Sequence, residues 1–110
     1  MGKDQDAAAA MTTALKLPGV TPLEIHTYGR RLLAAGKKDE ALKVFQLNAE
    51  RNGDAWPVHV GLARGYAAVG DNQKALEHAK LAAAQAPDPQ NKQNLEAMVK
   101  TLSEGKPVAQ

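Results

Sequence analysis

The 110-residue chain contains no cysteine. Disulfides and thiolate metal sites are therefore excluded, and this absence fits any cellular compartment. No run approaches the roughly 18 apolar residues of a membrane-spanning helix, and the opening MGKDQDAAAA lacks the basic-then-apolar order of a signal peptide. The sequence predicts no membrane partner, and the chain as given is expected to be cytoplasmic.

Aromatic residues make up only 4% of the chain, and no run of alternating β-branched residues occurs. Because strands favour both residue types, this composition argues against a sheet. The hydrophobic fraction of 44% is rich in alanine, which suits closely packed helices. The net charge is only +2, and basic residues are scattered among acids, so no nucleic-acid partner is predicted. We predict an all-α fold.

Identical residues recur 34 positions apart. The pairs are Gly36 and Gly70, Ala41 and Ala75, Leu42 and Leu76, Leu47 and Leu81, Ala49 and Ala83, Asp54 and Asp88, and Arg30 and Arg64. This period is the length of one helix-turn-helix unit of a solenoid. Such units build binding surfaces and seldom carry catalytic groups of their own.

Local signals divide the repeat into helices. Thr21-Pro22-Leu23-Glu24 combines an N-cap, a proline at the first helical position and a capping box, and Gly36 can terminate the helix that follows. Asp71 and Asp88 are further candidate N-caps. These signals predict helices over about 22–35, 39–51, 57–69, 72–85 and 89–103. Extending the period backwards adds a helix over 7–17.

Both central units follow the pattern W-x2-L-G-x2-Y, A-x3-F, P. The first reads Ile25-x2-Tyr28-Gly29-x2-Leu32, then Ala41-x3-Phe45, with Gly53 in place of proline; the second reads His59-x2-Leu62-Ala63-x2-Tyr66, then Ala75-x3-Ala79, then Pro87. This pattern resembles the tetratricopeptide repeat (TPR) family. Its small residues allow helices to approach closely, and its large ones fill the adjoining space. At Asn48 and His59 the pattern expects apolar residues, so either the fit is loose or these polar groups find partners.

The resemblance implies a right-handed α-solenoid of antiparallel helix pairs with about six helices. A half repeat (7–17) precedes two full repeats (22–55 and 56–88) and a C-terminal capping helix (89–104). Residues 1–6 are expected to be disordered, and residues 105–110 to form a flexible tail. The stretch 21–57 is also similar to the repeat-containing tails of a bacterial exported family of unknown function, which would make the chain periplasmic or exported.

In TPR solenoids the first helix of each unit lines a concave groove. The resemblance thus places six candidate partner-binding residues there: His26, Arg30, Leu33, Val60, Arg64 and Ala67. Arg30 and Arg64 occupy equivalent positions, and two stacked guanidinium groups would suit a carboxylate or phosphate. Alternatively, each arginine pairs with a nearby acid or lies in solvent. The lysine and asparagine pattern with which some family members clamp a peptide's C-terminal carboxylate is absent.

No catalytic, cofactor or metal site is predicted. The chain has neither a nucleophile elbow nor a phosphate loop, and His26, His59 and His78 lack metal-ligand spacing. The repeat assigns these histidines to the groove, the core and an outward-facing helix. Trp56 is interpreted as a staple over the joint between repeats or, at an exposed edge, as a binding anchor.

These observations predict a non-enzymatic protein–protein interaction module that binds a peptide or protein segment, with the arginines favouring an acidic one. The alternative is a structural tail domain that self-associates weakly through the solenoid ends, with any chemistry carried by a missing domain.

Overall fold

The computed structural model describes residues 19–106. Within this range the chain forms five α-helices and no strand: α1 (Pro22–Ala34), α2 (Lys38–Asn52), α3 (Trp56–Ala68), α4 (Asn72–Gln85) and α5 (Pro89–Ser103). The all-α prediction is confirmed over these residues. The expected disordered segment 1–6, the expected helix 7–17 and the tail residues 107–110 lie outside the described residues.

The 34-residue period is visible in the helix bounds. Helices α1 and α3 begin and end 34 residues apart, and α2 and α4 also begin 34 residues apart. Both α1 and α3 are followed by a glycine with positive φ, 79° at Gly36 and 89° at Gly70. In the first turn the Lys37 N–H donates to the Leu32 carbonyl at 2.9 Å, and the second turn repeats this bond. The fold is therefore helical repeat-like.

Three predicted N-caps begin their helices. The Thr21 hydroxyl accepts a hydrogen bond from the Glu24 backbone N–H at 3.1 Å, and the Asp88 carboxylate accepts one from the Asn91 N–H at 2.8 Å. Asp71 caps α4 in the same way. The capping box at α1 is half formed, because the Glu24 carboxylate lies 3.2 Å from the Thr21 hydroxyl and its bond is to that side chain.

Consecutive helices pack against one another, and α1 also packs against α3. One core cluster joins α1, α2 and α3 around Ile25, Phe45 and Val58. A second joins α3, α4 and α5, with Ala79 and Leu95 among its members. None of the described helices combines the length and apolar composition needed to cross a bilayer.

Phe45 of α2 is fully buried in space that three glycines leave open. A Cβ added at Gly29 of α1 would lie 2.3 Å from Phe45 Cε1. On α3, a Cβ at Gly61 would lie 2.5 Å from Cδ1, and one at Gly65 would lie 2.8 Å from Cδ2. The ring therefore packs directly on the backbones of α1 and α3, and these contacts limit the distance between the two helices.

Candidate binding cleft

A cleft of about 220 Å³ lies between α1, α3 and α5. Each helix contributes residues at helical spacing from one face. The lining residues are Leu23, His26, Thr27 and Arg30 from α1, Trp56, Pro57, Val60 and Arg64 from α3, and Asn91, Asn94, Leu95 and Met98 from α5. None of these described lining residues is acidic, and two are arginines. The lining of the cleft is therefore partly cationic and partly apolar.

Arg30 and Arg64 lie close enough to influence each other. Burial lowers the pKa of the Arg64 guanidinium, and the positive charge of Arg30 adds to this effect. The Arg64 guanidinium nevertheless stays protonated, because arginine does not lose its proton in proteins. Arg64 is half-buried and Arg30 is exposed, and an anion bound between them would interact favourably with both charges.

His26 lies beside the two arginines and is 7% exposed. Burial lowers its pKa to about 4, the charges of Arg64 and Arg30 act in the same direction, and a hydrogen bond with the Pro57 carbonyl opposes them. The imidazole is therefore neutral at pH 7 and adds no positive charge. Its Nδ1 atom is buried and has no hydrogen-bond partner within residues 19–106. The ring lies 5.8 Å from the Phe45 ring, which connects the cleft wall to the core.

Trp56 begins α3 and packs its half-buried indole against the second core cluster. Its Nε1 atom is also buried without a hydrogen-bond partner in the described part of the chain. This tryptophan is the only one in the sequence. The indole packs against residues of α3, α4 and α5 and also lines the cleft, so the two interpretations, a staple over the joint between repeats and a binding anchor, both stay predictions.

Four of the six predicted groove residues come together in the cleft: His26, Arg30, Val60 and Arg64. Because Arg30 and Arg64 project from equivalent positions of helices that pack directly against each other, the 34-residue period brings them to one site.

Leu33 and Ala67 do not line this cleft, so their assignment to a partner-binding groove stays a prediction. Each follows its arginine by one helical turn, and the last turns of α1 and α3 lie beyond the cleft. Leu33 is half-buried against the first core cluster, and Ala67 is half-buried against the second. Leu33 also lines a more open depression on α1.

The α5 wall was not predicted as part of the site, because α5 was assigned only a capping role. One face of α5 lines the cleft with Asn91, Asn94, Leu95 and Met98. Their helical spacing was the feature of the sequence that could have indicated this face. Asn94 accepts a hydrogen bond from Gln90 at 3.2 Å through its side-chain oxygen, so its NH₂ group remains available as a donor.

A second polar cluster lies between α3 and α4. The Nδ1 atoms of His59 and His78 are 3.1 Å apart, with the rings stacked at 5.3 Å. Tyr66 stacks on the far side of His78, and the Asp54 carboxylate lies 3.4 Å from His59 Nε2. The buried His59 thus has partners, and His78, expected to face outward, is half-buried against it. Within the described residues no three histidine, aspartate or glutamate side chains are arranged so that they could hold a metal ion together.

Asn48, the other polar departure from the repeat pattern, also has partners. It is fully buried, and its amide nitrogen donates to the Pro22 carbonyl at 3.0 Å. Its side-chain oxygen accepts from the Asn52 amide at 2.7 Å. Asn48 therefore connects α2 to the first turn of α1, where the apolar residue usual in the repeat could not make this bond.

The chain matches no protein-family model, no curated protein and no solved structure. Its all-α, repeat-like fold and its cationic cleft are therefore the basis for assigning a function.

Proposed function

We propose that this protein is a non-enzymatic binding module of the tetratricopeptide type, and that its cleft takes a peptide or protein segment. The proposal includes a right-handed solenoid in which α1 and α2 form one repeat and α3 and α4 the next. The equal spacing of the helix bounds and the glycine turns after α1 and α3 support this arrangement.

The observation that carries the functional proposal is the placement of Arg30 and Arg64 in one cleft whose described lining contains no acid. Among the described residues, no carboxylate lies within ion-pair distance of Arg30. Arginine presents a planar set of donors that matches carboxylates, so an acidic segment is the favoured partner. A cleft formed by three helices is short, and its affinity for a segment is expected to be modest.

The proposal is tested by capturing partners from a lysate of the source organism and measuring their affinity for variants. Arg30→Glu and Arg64→Glu together reverse both cleft charges. This double variant is expected to bind a captured acidic partner at least about tenfold more weakly, since the new glutamates would repel it. Arg31→Glu is the matched control because Arg31 is exposed on α1 and does not line the cleft. If Arg31→Glu reduced the affinity as much as the double variant, the cleft would not be the binding site.

A further inference from the structure

The lining of the cleft carries hydrogen-bond donors and positive charge. The two guanidinium groups are accompanied by the Trp56 indole, whose buried Nε1 has no partner within the described residues. An indole N–H can only donate, so an acceptor is needed to satisfy it. The neutral His26 supplies no counter-charge, and no described lining residue is acidic. The complementary group is therefore an anion rich in acceptors.

The lining also contains apolar residues. Val60, Leu95 and Met98 are buried where they line the cleft, and Leu23 is 59% exposed. Covering exposed apolar surface favours binding. A free phosphate has no apolar part and would leave Leu23 exposed to water. A carboxylate on a short methylene stem, next to an apolar side chain, can contact both the arginines and Leu23.

We propose that the cleft recognises an acidic side chain flanked by an apolar one in a peptide partner. The carboxylate binds between Arg30 and Arg64, and the apolar side chain packs against Leu23 and Met98. This inference rests on the proposed function, because it specifies the segment that the cleft binds.

The single tryptophan allows a direct assay, since Trp56 lines the cleft and its fluorescence reports occupancy. The probes are acetyl-Ala-Leu-Glu-Leu-Ala-amide, the same peptide with Gln for Glu, the same peptide with Ala for both Leu, and inorganic phosphate. The Glu peptide is expected to produce a saturable change. The Gln peptide should bind about tenfold or more weakly, because it loses charge-assisted hydrogen bonds. The Ala peptide is also expected to bind more weakly.

Variants of the cleft arginines show which residues cause the preference for the Glu peptide over the Gln peptide. Arg30→Gln and Arg64→Gln are each expected to bring the Glu and Gln peptides close to equal affinity. Arg31→Gln removes the same charge from the same helix outside the cleft, and it should leave the preference intact. Circular dichroism of each variant checks that the helices are retained.

The His26 imidazole gives an independent readout by NMR. Positive charge from Arg64 and Arg30 helps to hold its pKa near 4, so a carboxylate bound between them should raise this pKa. Saturation with the Glu peptide and no rise would overturn the placement of the carboxylate.

The outcomes separate the two proposals. Equal binding of the Glu and Gln peptides would leave a peptide-binding cleft and refute the carboxylate preference. Phosphate binding as tight as the Glu peptide would also refute it, since the site would then select charge without the apolar contact. No saturable change with any peptide up to about 10 mM would refute both proposals, since such a cleft would contribute no useful affinity.

Discussion

Replacing Gly29 with alanine tests how α1 is held against the core. The added Cβ would lie 2.3 Å from Phe45 Cε1 and 2.7 Å from Cζ, distances at which either the ring or the helix has to move. The ring is fully buried, and the α3 backbone at Gly61 and Gly65 also packs on it. Phe45 therefore has little space into which it can shift.

Two opposing effects determine the size of the change. Overpacking a core typically costs about 1–3 kcal/mol. Alanine in a helix interior is favoured over glycine by about 1 kcal/mol. Because the α3 backbone restricts the ring, we expect overpacking to dominate, with a net loss of about 1–2 kcal/mol in the free energy of unfolding. Urea denaturation followed by far-UV circular dichroism measures this loss.

The Phe45→Leu background isolates the contact. Leucine has no atoms at the Cε1 and Cζ positions that the new Cβ would approach most closely, and it keeps only the Cδ1 branch, which lies 2.8 Å away in the native ring. Gly29→Ala should therefore cost less stability in this background than with Phe at position 45. Gly61→Ala is the matched control, because its closest contact is Cδ1 at 2.5 Å, a branch position that leucine retains. It should stay destabilising in both backgrounds. The same loss from Gly29→Ala with Phe or Leu at position 45 would show that the ring is not the obstacle.

Three further changes test the polar contacts. The folded-state pKa of His26, about 4, lies below the ordinary 6.5, so the unfolded chain binds the proton first and stability falls as the pH drops through this window. Between pH 7 and pH 5, urea denaturation should show a loss of about 2 kcal/mol in the free energy of unfolding, and the His26→Phe variant should largely lack this loss. Equal losses in the two proteins would show that His26 does not cause the pH dependence. His78→Phe keeps a ring but leaves the buried Nδ1 of His59 without its partner. The free energy of unfolding should therefore fall by about 1–3 kcal/mol, which thermal denaturation measures. An unchanged midpoint would argue against this hydrogen bond. Asn48→Leu removes the donor to the Pro22 carbonyl. It should lower the free energy of unfolding by about 1–3 kcal/mol and speed amide hydrogen exchange in the first turns of α1. Unaltered exchange would show that this bond does not hold α1 in place.

Helix positions were predictable because their signals are local. Proline, the capping aspartates and the glycines that follow α1 and α3 act within one turn of the chain. They placed the bounds of α4 and α5 correctly and those of the other described helices within one residue. The pairing of Arg30 with Arg64 was predictable for a related reason, since a fixed period places equivalent residues on neighbouring units.

Contacts that depend on how distant helices meet were not predictable in this way. His59 and His78 are 19 residues apart, and their contact requires a particular rotation of α3 against α4. The role of α5 in the cleft depends on where that helix packs on α4 and on the core cluster that it shares with α3. Periodicity assigned Leu33 to the groove face, but it contains no information about where the cleft ends along α1.

The glycines that pack on Phe45 also connect the core to the proposed binding site. Glycine in a helix interior costs about 1 kcal/mol relative to alanine, so Gly29, Gly61 and Gly65 together oppose folding by about 3 kcal/mol. In return, the missing side chains allow the backbones of α1 and α3 to pack closely on the Phe45 ring. Arg30 follows Gly29, and Arg64 precedes Gly65, so the spacing that the ring allows between α1 and α3 also affects how far apart the backbones that carry the two arginines lie.

Widening that spacing should therefore weaken carboxylate recognition without changing any residue of the cleft. We expect Gly29→Ala to reduce the preference for the Glu peptide over the Gln peptide severalfold, because a carboxylate would then contact one guanidinium well and the other poorly. The Trp56 fluorescence titration measures this ratio. Adding Phe45→Leu to Gly29→Ala should restore part of the preference, since two of the three close contacts with the ring are then removed. A full preference in the destabilised Gly29→Ala protein would instead mean that the separation of the arginines does not depend on the packing of Phe45.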